Sequence, residues 1–196
     1  MFDKNAFFDE YREYYSTYPV DISDLRAKWI SLVESDADIS PFKCKSLLYE
    51  IAADGCDVHI FRNSPFYYEI KSGRPRNSWG LSGIGMIMRE HRTSELSRMR
   101  SIIEKFDAER LMSAWDMIDW DHQCVGYDNV LRYGLRGFIE KAESRLLEPC
   151  DDMRREFLNS VIIAMNSLIK FSRKFADRAD LMLAGETDPD VRQRLA

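Results

Sequence analysis

Apolar residues recur at helical spacing through much of this chain, most regularly in its last third. Tyr127, Val130, Leu131, Gly134, Leu135, Phe138, Ile139, Ala142 and Leu146 step by three and four, which is one face of an α-helix. Glu148-Pro149 ends that run. A second long element begins near Asp151-Asp152, where acidic side chains suit a helix N-terminus. In it Phe157, Val161, Ala164, Leu168, Phe171 and Phe175 form a heptad-like stripe. Ile162, Met165 and Ile169 widen the stripe, so the pattern predicts a broadly buried face. A short connection between two such helices makes them antiparallel neighbours. Gly185 ends the second helix, and Asp188-Pro189 caps a last short one over Val191 to Leu195.

The amino-terminal pattern is shorter-ranged. Phe7, Tyr11 and Tyr14/Tyr15 share one helical face within Asn5 to Tyr15, and Tyr18-Pro19 breaks it. Asp21 or Ser23 caps a second helix lined by Leu25, Trp29, Leu32 and Val33. Ser40-Pro41 starts a third, with proline at the first helical position, Leu47, Leu48 and Ile51 inside, and Asp54-Gly55 at its end. Val58 to Arg62 and Phe66 to Ile70 are β-branched and aromatic; they suit two short strands, extended coil or a helical turn. Lys71 to Gly80 is a loop punctuated by Gly and Pro. Gly80, Gly83 and Gly85 indicate close backbone approach in the segment that follows. Glu95 to Arg110 has a helical stripe of Met99, Ile102, Ile103 and Phe106, and Leu111 to Trp120 is a further short apolar segment. The expected fold is mainly α: irregular amino-terminal helical segments over residues 1–118, packed on a loop and long antiparallel helix pair over 119–196, together one compact domain.

Composition narrows the function classes. The 196 residues carry 45% hydrophobic side chains, enough for a core, and a formal net charge of −5. That mild acidity disfavours a nucleic-acid or anionic-membrane partner, which would want a concentrated basic face. The start, Met1-Phe2-Asp3-Lys4, shows no secretory pattern, and the apolar runs are too short for a membrane span. Cys44, Cys56, Cys124 and Cys150 form no Cys-x-x-Cys pair, which fits free thiols in a reducing cytoplasm.

Candidate chemistry concentrates where a loop becomes a helix, at His122, Gln123 and Cys124. An imidazole there can donate to a substrate carbonyl or carboxylate, or move a proton near neutral pH. The same position also suits a histidine that caps a turn or bonds a backbone carbonyl. Cys124 reads as a small packing residue, since no lysine adjoins it to lower its pKa. Arg62, Arg74 and Arg76 flank an aromatic loop ending at Trp79 and would suit an anionic pocket. The commoner reading pins such arginines to local acids such as Asp57 and Glu69. His59 and His91 lack partners at ligand spacing, Asp119/Asp121 and Asp151/Asp152 suit helix caps, and neither a serine triad nor a metal site stands out.

The order His122, Tyr127, Val130-Leu131, Gly134-Leu135, Gly137, followed by helices to the Glu186-Thr187-Asp188-Pro189 turn, resembles the amino-terminal part of glycyl radical enzymes of the pyruvate formate-lyase type. The likeness is most specific over Asp119 to Ala196 and departs from the family pattern at Asp121, where a glycine is expected before the histidine. Cys124-Val125-Gly126-Tyr127 is not the radical loop, because it precedes the helix that marks the amino-terminal region. The resemblance implies a cytoplasmic lyase or acyltransferase of anaerobic metabolism. In such an enzyme a glycyl radical, installed by an activating enzyme, oxidises a mid-chain cysteine to a thiyl that abstracts hydrogen from a small organic substrate. Neither reactive segment matches anything in this sequence. The chain is therefore expected to hold no catalytic residue or cofactor of its own and to form part of a substrate-cavity wall. His122 and Gln123 would be its first substrate contacts, with Arg74, Arg76 and Trp79 as further candidates. Its partner would be the remainder of a larger enzyme. The competing expectation is a stand-alone helical interaction module derived from that family, binding a partner helix or a second copy.

Overall fold

A computed structural model describes residues 3–17, 23–35, 39–64, 68–71 and 127–196. The described residues form six helices and one two-stranded sheet: α1 (Lys4–Ser16), α2 (Ser23–Ser35), α3 (Pro41–Gly55), β1 (Asp57–Ile60), β2 (Tyr68–Lys71), α4 (Tyr127–Leu146), α5 (Asp152–Gly185) and α6 (Pro189–Leu195). The mainly α expectation holds: the long helix α5 packs against α3 and α4, and α2 packs on α3. The segments predicted over 95–110 and 111–120, and the division at 118/119, lie outside the described residues.

Local chemistry sets the helix starts. Asp3 caps α1 by accepting from the amides of Asn5 and Ala6 at 2.9 and 3.1 Å. Ser40 caps α3 through the Lys43 amide, with Pro41 supplying a fixed φ at the first turn. Asp151 caps α5 through the Arg154 amide at 2.7 Å, and Asp188 caps α6 through Asp190 and Val191. Three of these caps stand where the acids and Ser-Pro pairs predict them.

The core lies between α2, α3 and α5. Leu25, Trp29 and Val33 of α2 meet Cys44, Leu48, Ala52 and Ala53 of α3, and Phe171 of α5 closes the cluster. The Trp29 indole N–H donates to the Leu48 carbonyl at 3.0 Å, so a large ring is buried with its one donor satisfied. The ring of Phe42 meets that of Phe157 near the start of α3 and α5, while Lys170 and Lys174 reach Asp54 near the end of α3. The two helices therefore run in the same direction.

Two features depart from the periodicity. On α5, Phe171 of the predicted stripe is buried, but Phe157 and Leu168 are exposed and the other buried positions are Ser160 and Ser167. The α3 face it meets presents Ala52 and Ala53, and small residues let backbones approach closely. Each serine returns its hydroxyl to a carbonyl four residues back, Glu156 or Ile163, so neither is left unpaired. On α4, the helix breaks at Gly134, with φ 63° and ψ 174°. This backbone region is open essentially only to glycine.

Of the Val58–Arg62 and Phe66–Ile70 segments, the described residues form two short paired strands. β1 and β2 pair antiparallel in the register Asp57↔Lys71, Val58↔Ile70, His59↔Glu69 and Ile60↔Tyr68.

Candidate functional site

The side chains that the described residues bring together from most distant parts of the chain meet where α1, the end of β1 and the turn after α5 converge. The turn following β1 exposes two backbone amides, Arg62 and Asn63, and the Glu10 carboxylate of α1 accepts from both at 2.6 and 2.8 Å. The Arg62 guanidinium turns the other way and forks onto Glu186, just past the end of α5, at 2.6 and 3.0 Å. Glu186 also accepts from the amides of Thr187 and Asp188. Hydrogen bonds from Arg62 first, and then from these amides, hold its carboxyl down at about 2. Arg194 of α6 donates to the Arg62 carbonyl, and Arg192 donates to the carbonyls of Leu183 and Glu186. One short turn is thus clasped by α1, α5 and α6.

An aromatic nest adjoins the clasp. His59 stacks on Tyr14 with ring centroids 4.2 Å apart and meets Phe61 edge-on at 4.6 Å. Phe61 also contacts Phe7 and Tyr11. Tyr15 donates to Glu69 of β2. The Nε2 atom of His59 is buried with no hydrogen-bond partner among the described residues. Burial pushes its pKa down, Lys71 adds to the effect, Glu10 opposes it and Arg178 lowers it further. The ring is thus neutral at ordinary pH.

Chemically this region holds segments together. Its carboxylates are engaged by amides, a guanidinium or a tyrosine hydroxyl, and its histidine is wedged among rings. Among the described residues no group of His, Cys, Asp and Glu could hold a metal ion. Cys56 is buried, with its thiol pushed up to about 11, and Cys44 is fully buried. Both are packing residues, and Cys56 has little thiolate to offer. No described helix is long and apolar enough to cross a membrane.

His122, Gln123, Arg74, Arg76 and Trp79, together with Cys124 and His91, lie outside the described residues. Of the arginine cluster, Arg62 is described, and it pairs with Glu186 instead of the nearby Asp57 or Glu69. The sequence marks the Glu186-Thr187-Asp188-Pro189 turn, but nothing in its spacing ties Glu186 to a partner 124 positions away. The sequence gives His59 no partner at ligand spacing, and its orphaned Nε2 has no sequence signal.

A family model described as pyruvate formate lyase-like matches residues 88–196. Isethionate sulfite-lyase of Nitratidesulfovibrio vulgaris is 28% identical over 102 residues, which cover 49% of this chain and 12% of that protein. The protein of the same name from Oleidesulfovibrio alaskensis is 31% identical over 91 residues, 43% of this chain and 11% of its own length. The chain thus spans a small fraction of the curated relatives it matches. No solved structure matches. Helices α4, α5 and α6 fall inside the matched range, while α1 to α3 and the hairpin precede it.

Proposed function

We propose, from the premise that this chain belongs to the pyruvate formate lyase-like family, that it is the amino-terminal portion of a glycyl radical lyase and forms one wall of its substrate cavity. The observation that carries the reading is the family match through α4, α5 and α6, set against relatives of which the chain covers only about a tenth. In this reading the radical glycine and the thiyl cysteine belong to the remainder of the protein. This chain supplies shape and polar contacts, with His122 and Gln123 directly before α4, and Arg74, Arg76 and Trp79 as further contacts. His122 donates a hydrogen bond to a carbonyl or carboxylate of a small organic substrate, and the arginines favour an anionic one. The relatives' name, isethionate sulfite-lyase, favours lyase over acyl-transfer chemistry. A cytoplasmic setting and anaerobic metabolism follow from the same reading.

The test is to express the reading frame with whatever follows Ala196 and treat it with a glycyl radical activating enzyme. Electron paramagnetic resonance should then show a glycine-centred radical. His122→Ala should leave that signal intact while raising KM. A silent spectrum in a frame that continues past Ala196 overturns the reading.

A second reading, an interaction module that works without such a remainder, is favoured by the exposure of Leu131, Leu147 and Leu181. It predicts self-association or capture of a partner helix by the isolated chain. Light scattering that shows a monomer at high concentration counts against it.

A further inference from the structure

The periodicity of α4 and its observed shape disagree, and the disagreement is confined to one glycine. On a continuous helix Tyr127 and Leu131 would continue the face that carries Leu135, Phe138 and Ala142. Ala142 is buried, and Leu135, Phe138 and Ile139 are half-buried. Leu131 should therefore be covered too. Instead it is 87% exposed, and Tyr127 and Tyr133 stand out beside it. The cause is Gly134, whose φ of 63° swings the leading turn off the helix axis. A second glycine permits the same bend: a Cβ on Gly137 would lie 2.9 Å from the Tyr133 Cβ. On a continuous helix those two positions are about 5–6 Å apart, with room for a methyl.

We propose that Gly134 and Gly137 form a hinge on which the leading turn of α4, Tyr127–Tyr133, closes against α5. The described conformation is the open one. In the closed one α4 is continuous from Tyr127 to Leu146, and Leu131 lies on α5. Counted outward from the loop between Leu146 and Asp152, Leu131 falls level with Leu168, which is itself exposed in the open form. Closure therefore removes two large apolar side chains from water at once, which is the driving force for it. The opposing term is the ordering of a turn that glycine leaves free. This device rests on the geometry of α4 alone and does not depend on the function proposed above.

Nitroxide labels at Arg132→Cys and Asn166→Cys test it by pulsed electron–electron distance measurement. Both side chains are exposed and lie at the same level of the α4–α5 pair, so labelling removes none of the proposed contacts. Cys124 and Cys150 are replaced by serine, and Cys44 and Cys56 are too deeply buried to label. The labelled protein should give two distances, the shorter set by neighbouring helix axes about 8–10 Å apart plus the label arms. Gly134→Ala should lower the ratio of long to short populations about fivefold or more, because alanine favours a helix interior and avoids positive φ. Gly137→Ala should act in the same direction, since its methyl clashes only in the bent form. A single long distance in the glycine-bearing protein overturns the hinge, as does a ratio that neither alanine moves.

Discussion

Arg62 and Glu186 meet fork to fork, with Nε 2.6 Å from one carboxylate oxygen and Nη2 3.0 Å from the other. This pair ties the hairpin to the turn that links α5 to α6. Because the folded-state pKa of Glu186 is depressed to about 2 from an ordinary 4.5, its contribution to stability is complete above about 4.5. It is lost as pH falls from there through 2. Urea-unfolding midpoints should decline over that interval, and Glu186→Gln should decline less steeply. Parallel slopes for the two proteins would show that the carboxylate makes no difference to folding.

Tyr14 and Phe61 enclose His59 with its Nε2 unpaired, and this predicts a second acid sensitivity at higher pH. Burial and the neighbouring Lys71 and Arg178 lower the histidine's pKa, and Glu10 only partly offsets them. A histidine depressed on folding contributes fully above its ordinary value of 6.5, and that contribution is lost as pH falls below it. Thermal unfolding should shift down between pH 7.5 and pH 5.5. His59→Phe keeps a ring in the nest without the proton, so its midpoint should stay level over the same range. If the variant drops as far as the native protein, His59 is not the group responsible.

The elements that these two pairs join were legible one by one. Ser40-Pro41 and Asp188-Pro189 announced the starts of α3 and α6, and the spacing of Leu25, Trp29 and Val33 announced the buried face of α2. Their long-range partners were not. Arg62 has acids closer in sequence than Glu186, and only the convergence of β1 with the end of α5 selects the distant one. Apolar spacing on α5 pointed to Phe157 and Leu168 because it scores size and hydrophobicity. The positions actually buried beside Phe171 are Ser160 and Ser167, small residues whose hydroxyls bond back into the helix. At Gly134 the pattern continues through a backbone that does not, because helical spacing carries no information about φ. The candidate contacts His122, Gln123, Arg74, Arg76 and Trp79 lie outside the described residues, and of these only His122 and Gln123 fall within the range that the family model matches.

Lys174 of α5 donates to the carbonyls of Asp54 and Cys56 at 3.0 and 2.7 Å, where α3 ends. A cation there satisfies orphan carbonyls and complements the negative end of the helix. Lys174→Met retains much of the stem and removes the charge, so it should cost about 1 kcal/mol, read from chemical denaturation. Cys56 lies beside this contact with its thiol pushed up to about 11, mainly by burial. Thiol reagents at neutral pH should therefore leave Cys56 and Cys44 unmodified until unfolding, while the half-buried Cys150 reacts first of these three. Fast modification of Cys56 in the folded protein would contradict its placement in the core.

Trp29 is the largest fully buried side chain among the described residues, 1% exposed and bonded to the Leu48 carbonyl. Trp29→Ala leaves a cavity that the surrounding Leu25, Val33 and Leu48 cannot fill, and should cost about 3–5 kcal/mol. Trp29→Phe keeps most of the volume but loses the indole donor, and should cost about 1–2 kcal/mol. The difference separates packing from hydrogen bonding at one position. Both costs should appear in the urea midpoint at unchanged slope, since the surface exposed on unfolding stays nearly the same. Gly55 sets the limit on repacking around this site: a Cβ there would come 2.6 Å from the Leu25 Cδ1, so Gly55→Ala must displace Leu25 from the same cluster. If Gly55→Ala and Trp29→Phe act on one packed unit, their combined cost will differ from the sum of the two. Strict additivity would mean that Leu25 yields without disturbing the indole.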